Sequence, residues 1–172
     1  QLPQSSPAAR GRDVILTSEH DVAALAGAAT RFDANLAAIR ALKAIEGEGR
    51  QATPSEQAII ARYSGFGDSA MGDAFKRYVR SDVWTRRGEE LKSITTTEEY
   101  QALERSRLNA FYTTPEIVRA MWQGLETLGA DKIAHPRVLE PSAGSGRFLG
   151  LQPVEMASRS QRTAVELDSL TG

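Results

Sequence analysis

Apolar positions recur at helical spacing through most of the chain, then give way near its end to short continuous apolar runs separated by small residues. From Asp21 to Glu46, Ala, Leu and Ile dominate. Leu36, Ile39 and Leu42 make an apolar face beside the basic Arg40 and Lys43; Gly27 is a point of division, and Gly47 and Gly49 are stops. Thr53-Pro54-Ser55-Glu56 reads as a capping box with proline at the first helical position, opening a helix that carries Ile59, Ile60 and Tyr63. That helix runs into Ser64-Gly65-Phe66-Gly67-Asp68, a glycine loop around an aromatic. Further helices are predicted over about 73–79, 82–92, 98–108 and 115–128. In the last, Thr114-Pro115-Glu116 forms the cap and Gly129 the stop, with Ile117, Val118, Met121, Trp122, Leu125 and Leu128 on the buried face.

The period then changes. Arg137-Val138-Leu139-Glu140 predicts a short strand, Pro141-Ser142-Ala143-Gly144-Ser145-Gly146 a tight turn of small residues, and Arg147-Phe148-Leu149 a helix kept short by Pro153. Thr163 to Asp168 predicts a second strand ending in acid. The expected fold class is mainly α with a partial α/β end: a disordered or extended lead-in over 1–17, a helical region over 18–108, and a strand–turn–helix–strand segment over 109–172. Two strands and a helix make a poor sheet alone. The segment is therefore expected to lean on the helices, to pair with another copy as a homodimer, or to be a fragment whose remainder lies elsewhere.

Composition narrows the function classes. Charges nearly balance, 21 basic against 22 acidic, so no global basic field draws the chain to a phosphate backbone. The six arginines Arg77, Arg80, Arg86, Arg87, Arg105 and Arg107 are expected to form a solvated face. There is no cysteine, which excludes disulfides, zinc–thiolate sites and a cysteine nucleophile and fits a cytoplasmic location. No apolar run approaches the roughly 20 residues that span a bilayer, so no membrane partner is expected. The polar start at Gln1 has no signal-peptide pattern and no initiator Met, as in a piece of something longer. His20 and His135 have no metal-ligand company.

The strand–turn–helix pattern is one that cradles nucleotides. Glycine lets backbone approach a ligand where a Cβ would collide, and a helix start offers unpaired N–H groups. An acid ending the next strand can bind two ribose hydroxyls, and Glu166 lies 20 residues after Gly146. A dinucleotide fingerprint needs a small residue where Leu149 stands. S-adenosylmethionine (SAM) has no pyrophosphate and carries an ammonium, which suits the acid Glu140 at the end of the first strand; that acid would repel a pyrophosphate.

Val138 to Gly146 resembles motif I of N6-adenine DNA methyltransferases. Asn109-Ala110-Phe111-Tyr112-Thr113-Thr114-Pro115-Glu116 resembles their upstream Tyr-Thr-Pro motif, in matching order and separation. Glu166 matches the motif II acid. The Ala61 to Gly67 segment, Trp84 and the Glu98 to Tyr112 stretch are similar to the front of plasmid- and phage-borne proteins that fuse an adenine methylase to a helicase, so the likeness spans about residues 35–172.

The resemblance implies the start of a Rossmann-like, SAM-binding domain, truncated after its first βαβ unit. By that resemblance Tyr112, Thr113, Thr114 and Pro115 line the methionine side. Glu140 faces the amino group, and Pro141, Ala143, Gly144 and Gly146 give backbone approach. Phe148 packs near the cofactor or behind the turn, Glu166 holds the ribose, and Leu167 flanks the adenine. DNA is the implied partner through the parent protein, together with missing C-terminal methyltransferase and helicase segments. The family's catalytic Asp/Asn-Pro-Pro-aromatic tetrapeptide is absent, so no catalytic residue is assigned and no methyl transfer by this chain alone is expected. The alternatives are a helical DNA- or protein-interaction module and a methyltransferase of RNA or protein.

Overall fold

A computed structural model describes residues 14–17, 20, 27–78, 80–108, 112–168 and 170. Its longest element is helix α1 (Ala28–Glu48). Gly27, at φ 84°, sits at its N-cap, and Gly49, at φ 61°, takes the left-handed C-cap; Gly47 is passed through as ordinary helix. The part of the expected first helix over 21–26 lies outside the described residues.

Helix α2 (Pro54–Ile60) opens on the reciprocal Thr53–Glu56 capping box read from sequence. It stops at Ile60, which leaves Tyr63 in the loop beyond. Where a helix over about 73–79 is expected, the chain forms a 3₁₀ segment at Ser69–Phe75, started by the Asp68 carboxylate accepting the Ala70 N–H at 2.9 Å. Helices α3 (Asp82–Ile94) and α4 (Thr97–Ser106) follow, and α4 starts one residue before the expected position 98, capped by a Thr96–Glu99 box.

Helix α5 (Pro115–Thr127) corrects the sequence reading. Of the six residues expected on its buried face, only Val118 and Trp122 are buried, whereas Ile117, Met121, Leu125 and Leu128 are exposed. At 100° per residue the apolar arc is wider than the surface that covers it.

After a 3₁₀ turn at Ala130–Lys132 come β1 (Arg137–Glu140), α6 (Arg147–Gly150), α7 (Val154–Ala157) and β2 (Gln161–Ala164). The second strand begins and ends earlier than the expected Thr163–Asp168. Its position is set by pairing: β1 and β2 form a two-stranded parallel sheet with Arg137 opposite Gln161 and Glu140 opposite Ala164. The ladder starts with the Gln161 N–H on the Pro136 carbonyl at 2.9 Å. The chain is thus mainly helical with one small parallel sheet, and no described helix is long and apolar enough to cross a membrane.

Two clusters hold this together. The larger joins Phe32, Leu36 and Ile39 of α1 to Phe66, Met71, Phe75, Leu91 and Leu103, and takes in Leu170, with Tyr112 packed against it. One core therefore reaches from the first helix to the end of the mixed segment. The smaller sets Val118, Trp122 and Met156 against Val138, Phe148 and Leu151 behind the turn. Val14–Thr17 lies against the same region: the Leu16 N–H donates to the Gly150 carbonyl at 2.6 Å.

Candidate functional site

The turn between β1 and α6 is fixed from three sides. Within it, the Gly146 N–H donates to the Ala143 carbonyl at 2.8 Å, and Gly144 and Gly146 both hold positive φ, 52° and 71°, which favours glycine at these two positions. Toward β2, the Val165 N–H donates to the Glu140 carbonyl and the Ala143 N–H to the Val165 carbonyl, both at 2.9 Å. Behind it, the Trp122 indole N–H donates to the Phe148 carbonyl at 2.8 Å. Trp122 is thus a packing residue with its one donor satisfied, and Phe148 packs behind the turn.

Glu166 is tied into the turn. Its Oε2 accepts the Gly144 N–H at 2.7 Å, and its Oε1 accepts those of Leu167 at 2.8 Å and Asp168 at 3.0 Å. The Asp168 amide foremost, with those of Gly144 and Leu167, holds the Glu166 carboxyl below the usual carboxylate range against partial burial. A carboxylate offers about four lone-pair positions, so one remains for an incoming hydroxyl while all three backbone bonds stand. Glu140 ends β1 opposite Ala164, the last residue of β2, and Glu166 follows two residues beyond, so both acids stand at the same end of the parallel sheet. The Glu140 carboxylate accepts the Ser142 N–H at 3.3 Å.

The Tyr112–Pro115 segment reaches this turn. A Cβ built on Gly144 would lie 2.8 Å from the Tyr112 ring, so the bareness of Gly144 admits that ring. A Cβ on Gly146, by contrast, would meet nothing within 4 Å, which leaves open space beside the second glycine. Arg147 lies over the Tyr112 ring, 5.7 Å from its centroid, and its Nη1 donates to the Thr113 carbonyl at 3.3 Å. Thr114 is the N-cap of α5 and Pro115 its first residue. Asn109, Ala110 and Phe111 lie outside the described residues.

Pro141 is exposed, Ala143 half-buried, and Leu167 99 % exposed, so among the described residues none covers Leu167. Helix α6 is one turn long, so the unpaired N–H groups at its start are backed by a weaker dipole than in a long helix. Sequence reasoning passed over Arg147 and Ser145. The Ser145 Oγ is buried without a hydrogen-bond partner among the described residues, and Ser145 lines a cavity of about 70 Å³ with Ile39, Leu42, Ile60 and Tyr63. The signal for Arg147 was its place directly after the last glycine of the turn; for Ser145 nothing in the sequence shows that α1 and α2 lie across from it.

Among the described residues no group of three or more His, Cys, Asp or Glu is placed to hold a metal ion. Compared with protein-family models, curated proteins and solved structures, the chain matches none.

Proposed function

We propose that this chain is the SAM-binding front of a DNA adenine-N6 methyltransferase, the start of a Rossmann-like domain carried on a helical region. The observation that carries it is the meeting of three separated sequence features at one turn: Tyr112 against Gly144, Glu166 on the Gly144 amide, and Glu140 at the same sheet end. The residues fit the cofactor's chemistry. Two carboxylates suit an ammonium and a ribose better than a pyrophosphate, and the space beside Gly146 admits a close approach. Bound there, SAM would supply a sulfonium methyl group; Glu166 would accept a ribose hydroxyl, Glu140 would face the amino group, and the Tyr112 ring would wall the methionine side. The sequence has no Asp/Asn-Pro-Pro-aromatic tetrapeptide, so binding is the activity proposed for these residues, and DNA is met through the parent protein.

Calorimetry with SAM tests this. Saturable heat that Glu166→Ala weakens is the expected result. Unchanged heat up to ~1 mM ligand, an affinity of only about −4 kcal/mol, would count against a formed site.

A further inference from the structure

One loop of the helical region, Ser64–Gly67, reaches the Tyr112 ring that lies on the turn. Asn35, on α1, is fully buried and places all its polar groups on that loop: its Nδ2 donates to the Gly65 carbonyl at 2.7 Å, and its Oδ1 accepts the Ser64 N–H at 2.8 Å and the Ser64 hydroxyl at 3.3 Å. Two residues beyond Ser64, Phe66 is 3 % exposed and packs edge-on against Phe32 and Phe75, with ring centroids 4.9 and 5.5 Å away. The loop is therefore pinned by a buried amide on one side and an aromatic anchor on the other. A buried amide with its bonds made fixes one backbone arrangement, because any other leaves a polar group unpaired.

What the loop presents is Gly65, at φ 71°. A Cβ there would lie 2.5 Å from the Tyr112 ring. The opposite edge of the same ring faces Gly144: the contacts are with Cε2 at Gly65 and Cε1 at Gly144. Tyr63 packs edge-on at 6.2 Å, and the Arg147 guanidinium lies over the ring, 5.7 Å from its centroid. Tyr112 is gripped between two glycines, one from the helical region and one from the turn.

We infer that the Ser64–Gly67 loop is a positioning element of the ligand site, with Asn35 and Gly65 as positioning residues that fix the Tyr112 ring against the glycine turn. The inference rests on the SAM-binding reading above, and it assigns to the helical region a part in ligand affinity that no motif of the turn supplies.

The test compares Gly65→Ala with Gly49→Ala. Both glycines hold positive φ, 71° and 61°, so both substitutions add backbone strain, but a Cβ at Gly49 meets nothing within 4 Å. SAM affinity and melting temperature are measured for each, together with the fluorine NMR signal of Tyr112 in 3-fluorotyrosine-labelled protein, assigned by Tyr112→Phe. Gly65→Ala is expected to weaken SAM binding about tenfold or more and to move the Tyr112 signal. Gly49→Ala should lower the melting temperature while leaving affinity and signal in place. Asn35→Ala is a second, independent variant: it removes the buried amide that pins the loop while leaving the Tyr112 ring intact, and should likewise weaken SAM binding about tenfold and move the Tyr112 signal. SAM binding that Gly65→Ala and Asn35→Ala affect no more than Gly49→Ala does would overturn the positioning role alone. No SAM binding by the unaltered chain would overturn the function reading and this inference with it.

Discussion

Replacing Glu166 by Gln probes the turn without changing its shape. The carboxylate accepts three backbone N–H groups, two on Oε1 and one on Oε2. Glutamine keeps one acceptor oxygen. If it faces Leu167 and Asp168, the new amide –NH₂ faces the Gly144 N–H, donor against donor. One bond is lost outright and two lose their charge. Hydrogen bonds to charged groups are worth about 1.5–3 kcal/mol each, and the partial solvation of Glu166 puts the whole change near the low end, about 2 kcal/mol. For a chain of this size that lowers the melting temperature by about 4–8 °C at pH 7.

The pH dependence gives the sign. The folded Glu166 pKa is depressed, so its contribution is present above the unfolded value of about 4.3 and is lost as pH falls through the folded value. Chemical denaturation of both proteins from pH 7 to pH 3 is the assay. The gap between them should be full at neutral pH and shrink below about pH 4.3. A Gln variant as stable as the parent at pH 7, or a gap that persists unchanged in acid, would refute the reasoning.

Three further outcomes follow from the packing. Gly88→Ala should cost more than about 3 kcal/mol, since a Cβ there overlaps the Ala74 backbone carbonyl, which cannot swing away as a side chain can; urea denaturation reads it. Trp122→Phe keeps an aromatic in the smaller cluster but leaves the Phe148 carbonyl without its donor, for a loss of about 1–2 kcal/mol in the same experiment. Met121→Gln should change stability by less than about 0.5 kcal/mol, because this side of α5 is uncovered; a large loss would restore the six-residue buried face read from sequence.

What the sequence showed well was local. The Thr53–Glu56 box, Pro115 at a helix start, the Gly49 stop and the turn at Gly144–Gly146 each depend on residues within a few positions of one another, and each stands where read, whereas Gly47 stops nothing. The errors were about what lies across space. Periodicity gave α5 an apolar arc but could not say how much of it a two-stranded sheet covers. Thr163 to Asp168 has strand-like composition, yet the Pro136–Gln161 bond starts the ladder two residues sooner. The site was half legible. Glu166 and Tyr112 stand at the turn as expected, but Gly144 was read as room for a ligand and instead admits the Tyr112 ring. Asn35 sits in an Ala-rich helix with no pattern to mark it, since its partners Ser64 and Gly65 are about thirty residues away.

The most direct measurement of the central claim is an amide NMR titration with SAM, with NAD as the comparison ligand. A site formed by the turn shows saturable shifts at Gly144, Gly146, Leu167 and Asp168 with SAM and none with NAD. Shifts confined to the outer faces of the helical region, or the same response to NAD, would contradict it.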